Sequence, residues 1–260
     1  MNTTTGNCAA WLRIFRLVAL TLPTLICFAS THAAADCTNQ SGNPQLHLIE
    51  LYSSEGCSSC PPAEQWMTSL LKHPEIAGLE FHVDYWDSTS WKDPFASHSY
   101  TERQEAMAKR SNHGQIYSPQ IWADGHIWRN WPKGTPPALV DKPSSTLSAT
   151  VVMGASLRAT FDVSDPDSKD KDAYHLYAAV TENDLTRSVA GGENKGKKLS
   201  HDDVVRAFSG PQQLPHAEIE FKLPPDVVLS HASVVGFIQD EHDGSVTQVV
   251  RVPLDKCQKP

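Results

Sequence analysis

Positive charge is scarce in this chain. Lys and Arg number 22 against 30 Asp and Glu, which sets the formal net charge at -8 at pH 7. The one basic cluster, KGKK at Lys195 to Lys198, is short. Neutralising phosphates takes clustered Lys and Arg, so no nucleic-acid partner is expected. Long apolar runs are missing as well. The stretch from Leu17 to Ala29 is interrupted by Thr and by Pro23 and is too short to cross a bilayer comfortably. There is no internal repeat and no long low-complexity tract. Cysteine is sparse, with six in the chain, and no second Cys/His pair follows Cys57 and Cys60 at a spacing that would complete a zinc site; His73, His82 and His98 are single.

The first residues carry a pattern of their own. Arg13 and Arg16 precede the apolar run, and Ala33 and Ala35 offer small residues for cleavage. This is the layout of a secretory signal peptide, so residues 1–35 are expected to be removed and the mature chain to start near Asp36. Two positive charges and no acidic residue leave with it, taking -8 to -10. Ile26 before Cys27 and Asp36 before Cys37 do not suit lipidation. Export makes disulfides available to the remaining Cys37, Cys57, Cys60 and Cys257. Cys57 and Cys60 are local partners, which leaves Cys37 and Cys257 to each other as a structural bridge, or else free or paired between chains.

Leu46 to Tyr52 is dense in apolar residues and suits a buried strand. After the cysteines, Ala63, Trp66, Met67, Leu70 and Leu71 recur at helical spacing. LEFHVDYW, Leu79 to Trp86, reads as a second buried strand, and TERQEAMAKR, Thr101 to Arg110, as a helix. QIYSPQIWADGHIW then reads as a hairpin about Asp124-Gly125. The Pro-rich residues 136–145 are the expected linker between a first domain, 36–135, and a second, 146–260. In the second, short strands separated by Pro, Gly and Asp turns argue for a small antiparallel β-sandwich. Ser200 with Asp203 three residues on suggests a capped helical turn.

Pro61 and Pro62 fix where the helix after the cysteines can start, because proline is tolerated in a first turn and breaks an interior. Both sulfurs then sit at a helix N-terminus, where unpaired amides and the helix dipole favour a thiolate. Cys57, the outer sulfur, is the expected nucleophile, and Cys60, the more covered one, the expected resolving thiol. A Cu(I) site on two soft thiolates and an inert bridge are the rival readings. His82, Asp84 and Asp87 lie on or after the second strand, and His82 and Asp84 are candidates for proton transfer to Cys60. DSTSWKDPFAS is an insertion that can wall the site. GGENKGKKLSHDDVVR reads either as a solvated connection or as a loop against the redox groove.

A strand, C-x-x-C at a helix start, and a later X-Pro before a D-G hairpin together resemble the thioredoxin fold. The resemblance implies a mixed sheet with flanking helices, a cis proline at Pro119 with Ser118 before it, and a role for both in holding substrate main chain. LIELYSSEGCSSCPPAE, FHVDYWDSTSWKDPFAS and IYSPQIWADG, with GGENKGKKLSHDDVVRAF and VVGFIQDEHDGSVTQVVRVPL, resemble an exported thioredoxin-like family catalogued as domain of unknown function 1223. The whole is therefore expected to be an α/β thioredoxin-like fold followed by an all-β sandwich-like domain. Its expected activity is thiol-disulfide exchange at Cys57 and Cys60 on protein or small thiols, with no cofactor and no metal. Protein thiols or disulfides are the expected partners, a membrane redox protein is a further candidate, and the bacterial periplasm is the expected location. The alternative is a binding, assembly or copper-handling protein with a static or metal-binding pair.

Overall fold

The computed structural model describes residues 35–42, 45–111, 114–133, 145–164 and 171–257. The expected signal peptide, apart from Ala35, and almost all of the expected linker lie outside the described residues. No helix among the described residues is long and apolar enough to cross a membrane.

The organising element is an eight-stranded sheet. Its centre is β2 (His47–Ser53) beside β3 (Ile76–His82), paired in parallel, with β4 (Gln120–Ala123) antiparallel to β2 and β5 (His126–Ile127) at the edge. Both β2 and β3 are buried at every position, which is why they read as near-continuous apolar runs. Two helices cover their two faces. The first, α1 (Pro61–Leu70), presents Ala63, Met67 and Leu70 at helical spacing to Ile49, Leu51 and Ile76. The second, α2 (His98–Arg110), lays Tyr100 and Met107 on the face formed by Leu48, Tyr52, Leu79 and Phe81. Side chains alternate along a strand, so each of β2 and β3 serves one helix with its odd positions and the other with its even ones. On β3 the α1 face holds Ile76, Gly78, Glu80 and His82.

The same sheet continues through strands from the second half of the chain. β8 (Tyr174–Glu182), β11 (Val204–Gln212), β13 (Ala232–Asp240) and β14 (Val246–Pro253) extend it in the order β14-β13-β8-β11-β3-β2-β4-β5. β11 joins β3 through Val204 opposite Glu80, where the Glu80 amide donates to the Asp203 carbonyl at 2.8 Å. The separation at residues 136–145 therefore does not divide the sheet, and the described residues belong to one compact unit. A four-stranded antiparallel sheet, β1 (Ala35–Gln40), β6 (Thr146–Met153), β7 (Leu157–Ser164) and β12 (His216–Phe221), packs on the β8, β13 and β14 end. Strict alternation in β12, exposed then buried, marks a sheet with one covered face.

A disulfide joins Cys37 on β1 to Cys257 beyond β14 and so ties the two sheets together. Its sequence separation of 220 residues makes the loop long, and the expected contribution is about 2–5 kcal/mol. One local expectation fails. Ser200 starts no helix, because Lys198–His201 forms β10, paired with β9 (Leu185–Ser188), and β11 follows. The segment reads Leu199 and His201 inward and Lys198 and Ser200 outward, a period of two that the S-x-x-D capping pattern concealed.

Candidate functional site

Cys57 and Cys60 form a disulfide in the turn between β2 and α1. The Cys60 amide donates to the Cys57 carbonyl at 3.3 Å, and the amides of Ala63 and Glu64 donate to the Cys60 carbonyl. Cys60 is the N-cap, and Pro61 and Pro62 occupy the first two helical positions, where their missing N–H groups cost nothing. The Ser118-Pro119 peptide is cis, immediately before β4. Because Tyr52 pairs with Gln120, Pro119 lies at the same end of β2 as the cysteines. Trp86 connects the two features: its indole N–H donates to Ser118 Oγ at 2.7 Å, and its Cβ lies against Gly56.

Access differs from expectation. Cys57 was read as the outer sulfur, yet both cysteines are 0% exposed, while Ser58 and Ser59 between them face solvent. The segment between β9 and β10 packs on this turn. Asn194, itself fully buried, donates from Nδ2 to the carbonyls of Glu55 and Cys57 at 3.0 and 2.8 Å, and Glu193 accepts from the Ser58 amide at 3.0 Å. Gly192, at φ +68°, leaves its α-carbon face against Gly56, and a Cβ on Gly191 would lie 2.6 Å from the Ser90 carbonyl. A side chain at either position would lift the segment away. Gly191 to Asn194 is thus packed on the cysteine turn, whereas Lys195 to Lys198 are exposed.

Beneath the turn lies a closed polar cluster on the α1 face. Glu80 and His82 come from β3, Glu64 from the first turn of α1, His201 from β10, Glu55 from the end of the β2 loop, and Asp93 from the DSTSWKDPFAS insertion. All six are at most 4% exposed. His82 faces carboxylates through both ring nitrogens, Asp93 at 2.7 Å from Nδ1 and Glu80 at 3.0 Å from Nε2. His201 Nδ1 lies 3.3 Å from Glu80 and 3.4 Å from Glu64, and its Nε2 lies 3.6 Å from Glu55. Ser53 donates to Glu64, and the Glu55 amide to Asp93.

These contacts shift the titrations. Burial disfavours the charged ring of His82, but Asp93 and Glu80 outweigh it and hold its pKa well above the usual value. Burial opposes His201 in the same way, and Glu55 and Glu80 raise it to about 9. For Glu64, burial and the neighbouring Glu80 push the carboxyl up to about 7. Asp93 is desolvated too, yet His82 and the amides of Glu55 and Phe95 bring it down to about 2. Opposite directions among adjacent carboxyls are what a shared, charge-dense site produces.

His82 sits in this cluster, but Asp84 does not. Asp84 accepts from Thr101 Oγ1 and pairs with the exposed His98, outside the buried group. The aspartate that faces the His82 ring is Asp93, eleven residues further along the chain. Glu55, Glu64, Glu80, Asp93 and Asn194 were all missed in the sequence. One signal was available for two of them: Glu80 and His82 are polar at alternate positions of an apolar strand, so they share one face.

Fold and site together define a mostly β, α/β protein whose cysteine pair closes over a buried imidazole and carboxylate cluster. Its architecture is similar to a structural-genomics crystal structure from Agrobacterium tumefaciens, with TM-score 0.56 and 19% identity over 83% of this chain and 98% of that one. It is also similar to HBP35 of Porphyromonas gingivalis, with TM-score 0.60 and 14% identity over 82% of this chain and 76% of that one. At these identities the likeness is one of fold. No curated protein matches the chain. Residues 48–239 match the family described as a protein of unknown function, DUF1223, and the chain belongs to that family.

Proposed function

We propose that this chain is an exported, thioredoxin-like thiol-disulfide oxidoreductase in which Cys57 exchanges with a partner disulfide or thiol and Cys60 resolves the mixed disulfide. The observation that carries the reading is the placement of the Cys57–Cys60 disulfide at the start of α1, at the same end of β2 as the cis Ser118-Pro119 peptide. A helix N-terminus stabilises the departing thiolate, and Ser118 and Pro119 offer main-chain groups to an extended substrate. Of the strands that follow residue 145, β8, β11, β13 and β14 extend the central sheet, and β6, β7 and β12 pack on it in a sandwich-like layer. Protein thiols or disulfides in the periplasm are the partners, with a membrane redox protein as the source or sink of electrons. For exchange to occur, the cysteine turn and the segment packed on it must open, since neither cysteine is exposed.

That same burial favours a second reading, a binding or assembly scaffold with a static disulfide. The two differ in reduction potential. Equilibration in thiol buffers, with alkylation and mass counting against a Cys57→Ala control, is expected to give about -120 to -270 mV, the range of working exchange proteins. A potential below about -300 mV would make the bridge structural and favour the scaffold.

A further inference from the structure

The buried cluster holds more negative charge than its own groups neutralise. Four carboxylates, Glu55, Glu64, Glu80 and Asp93, surround two imidazoles, His82 and His201. With both rings protonated and every acid ionised, the acids exceed the rings by two, a surplus that the raised Glu64 carboxyl reduces in part. Arg187, half-exposed, adds a cation 3.7 Å from Glu55. Glu55 Oε1 and Oε2 and His201 Nε2 are buried with no hydrogen-bond partner among the described residues. Unpaired buried charge is costly, so such a cluster suits a counter-ion.

We propose that this cluster is a binding site for one divalent transition-metal cation of the zinc class. The ligands are His82 Nε2, His201 Nδ1, Glu80 Oε1 and Glu64 Oε2. The donors of Glu80, His82 and His201 lie within 4.8 Å of one another. Three separations among the four atoms are 3.0, 3.3 and 3.4 Å. Metal bonds of about 2.0–2.2 Å hold neighbouring ligand atoms roughly 3.0–3.5 Å apart, so Glu80, His82 and His201 already form a three-donor set, which Glu64, 3.4 Å from His201, completes by a side-chain shift. Both rings are also backed as metal-ligating histidines are. Asp93 accepts from His82 Nδ1, and Glu55 faces the far nitrogen of His201. That arrangement gives a task to Glu55, whose carboxylate makes ion-pair contacts but no hydrogen bond among the described residues.

The donor chemistry sets the class of ion. Imidazole with carboxylate suits zinc, manganese, iron(II) and cobalt(II), whereas copper(I) seeks thiolates, and calcium and magnesium seek oxygen alone. The site uses neither Cys57 nor Cys60 and stands or falls apart from the redox reading. It joins α1, four residues after Cys60, to β3 and to β10, which carries one end of the segment packed on the cysteine turn. Because every ligand is buried, the ion is taken up as the chain folds.

The test is to unfold the full chain in chelator, refold it with zinc, manganese or cobalt(II), desalt it and count metal by elemental mass spectrometry. One metal per chain is expected in the wild type and in the Cys57→Ala/Cys60→Ala chain, with loss in Glu80→Gln and in His201→Gln. Asp93→Asn is expected to weaken affinity about 10–100-fold. If a ligand variant fails to fold, the visible spectrum of the cobalt-loaded wild type decides: ligand-field bands without thiolate charge transfer support the site. No stoichiometric metal in the refolded wild type overturns the proposal. So does metal that survives both ligand substitutions, or that disappears with the cysteines.

Discussion

Two buried charged assemblies sit back to back on the same pair of strands, and they are built to opposite rules. On the α2 face, Arg103 donates through Nε and Nη2 to the two oxygens of Glu50, and its guanidinium lies within 5.8 Å of the ring centres of Phe81, Tyr177, Phe208 and Phe237. One cation meets one anion in bidentate geometry, with aromatic faces closing the sides. On the α1 face, four acids meet two histidines, and three polar atoms of Glu55 and His201 have no hydrogen bond among the described residues. The matched pair fixes how α2 sits on the sheet. The mismatched cluster, under the cysteine turn, is poised for something further.

The largest expected effect breaks the matched side. Arg103→Met leaves Glu50 buried and unpaired, which is expected to cost about 3–5 kcal/mol in urea unfolding. Next is the mismatched side as a whole. The metal-loaded chain is expected to unfold later than the chelated one, by about 2.7 kcal/mol when free metal is 100 times the dissociation constant. An unchanged midpoint would remove the distinction between the two assemblies.

Smaller effects sharpen it. Asn194→Ala removes two hydrogen bonds to the cysteine turn, for a cost of about 1–3 kcal/mol, and is expected to speed reduction of the Cys57–Cys60 disulfide by dithiothreitol, followed by alkylation and mass. Glu55→Gln and Glu50→Gln should differ in sign. In metal-free protein the first removes a surplus charge and is expected to be neutral or stabilising, whereas the second strips Arg103 of its partner and destabilises. Equal losses in urea midpoint would show that both carboxylates are matched alike. The smallest effect is expected from Asp84→Asn, which touches neither assembly and should leave disulfide reduction and metal content unchanged.

Local patterns reached as far as local forces do. The buried strand before the cysteines, the helix after them, the Asp124-Gly125 hairpin and the helix containing Thr101 to Arg110 were legible, because each rests on spacing, turn chemistry or proline placement within a dozen residues. The capping pattern at Ser200 misled, since pairing with β9 and the burial of Leu199 and His201 outweigh a propensity of a few tenths of a kcal/mol. Asp84 was read as a candidate because it follows the second strand in sequence, whereas the insertion folds back to bring Asp93 against the His82 ring.

Composition and spacing by themselves determined an acidic chain and a cysteine pair at a helix start, and left Cys37 and Cys257 as candidates for a bridge that the structure forms. These follow from charge count, proline chemistry and the small number of thiols. Only the tertiary structure decided that the strands of the two halves share one sheet. It alone buried both cysteines and tied Asn194 to their turn, and it gathered Glu55, Glu64, Glu80, His82, Asp93 and His201 from five separate segments. The reason is physical: burial and charge balance are summed over neighbours in space, and about 120 residues of chain separate His201 from the strand whose carboxylate it faces.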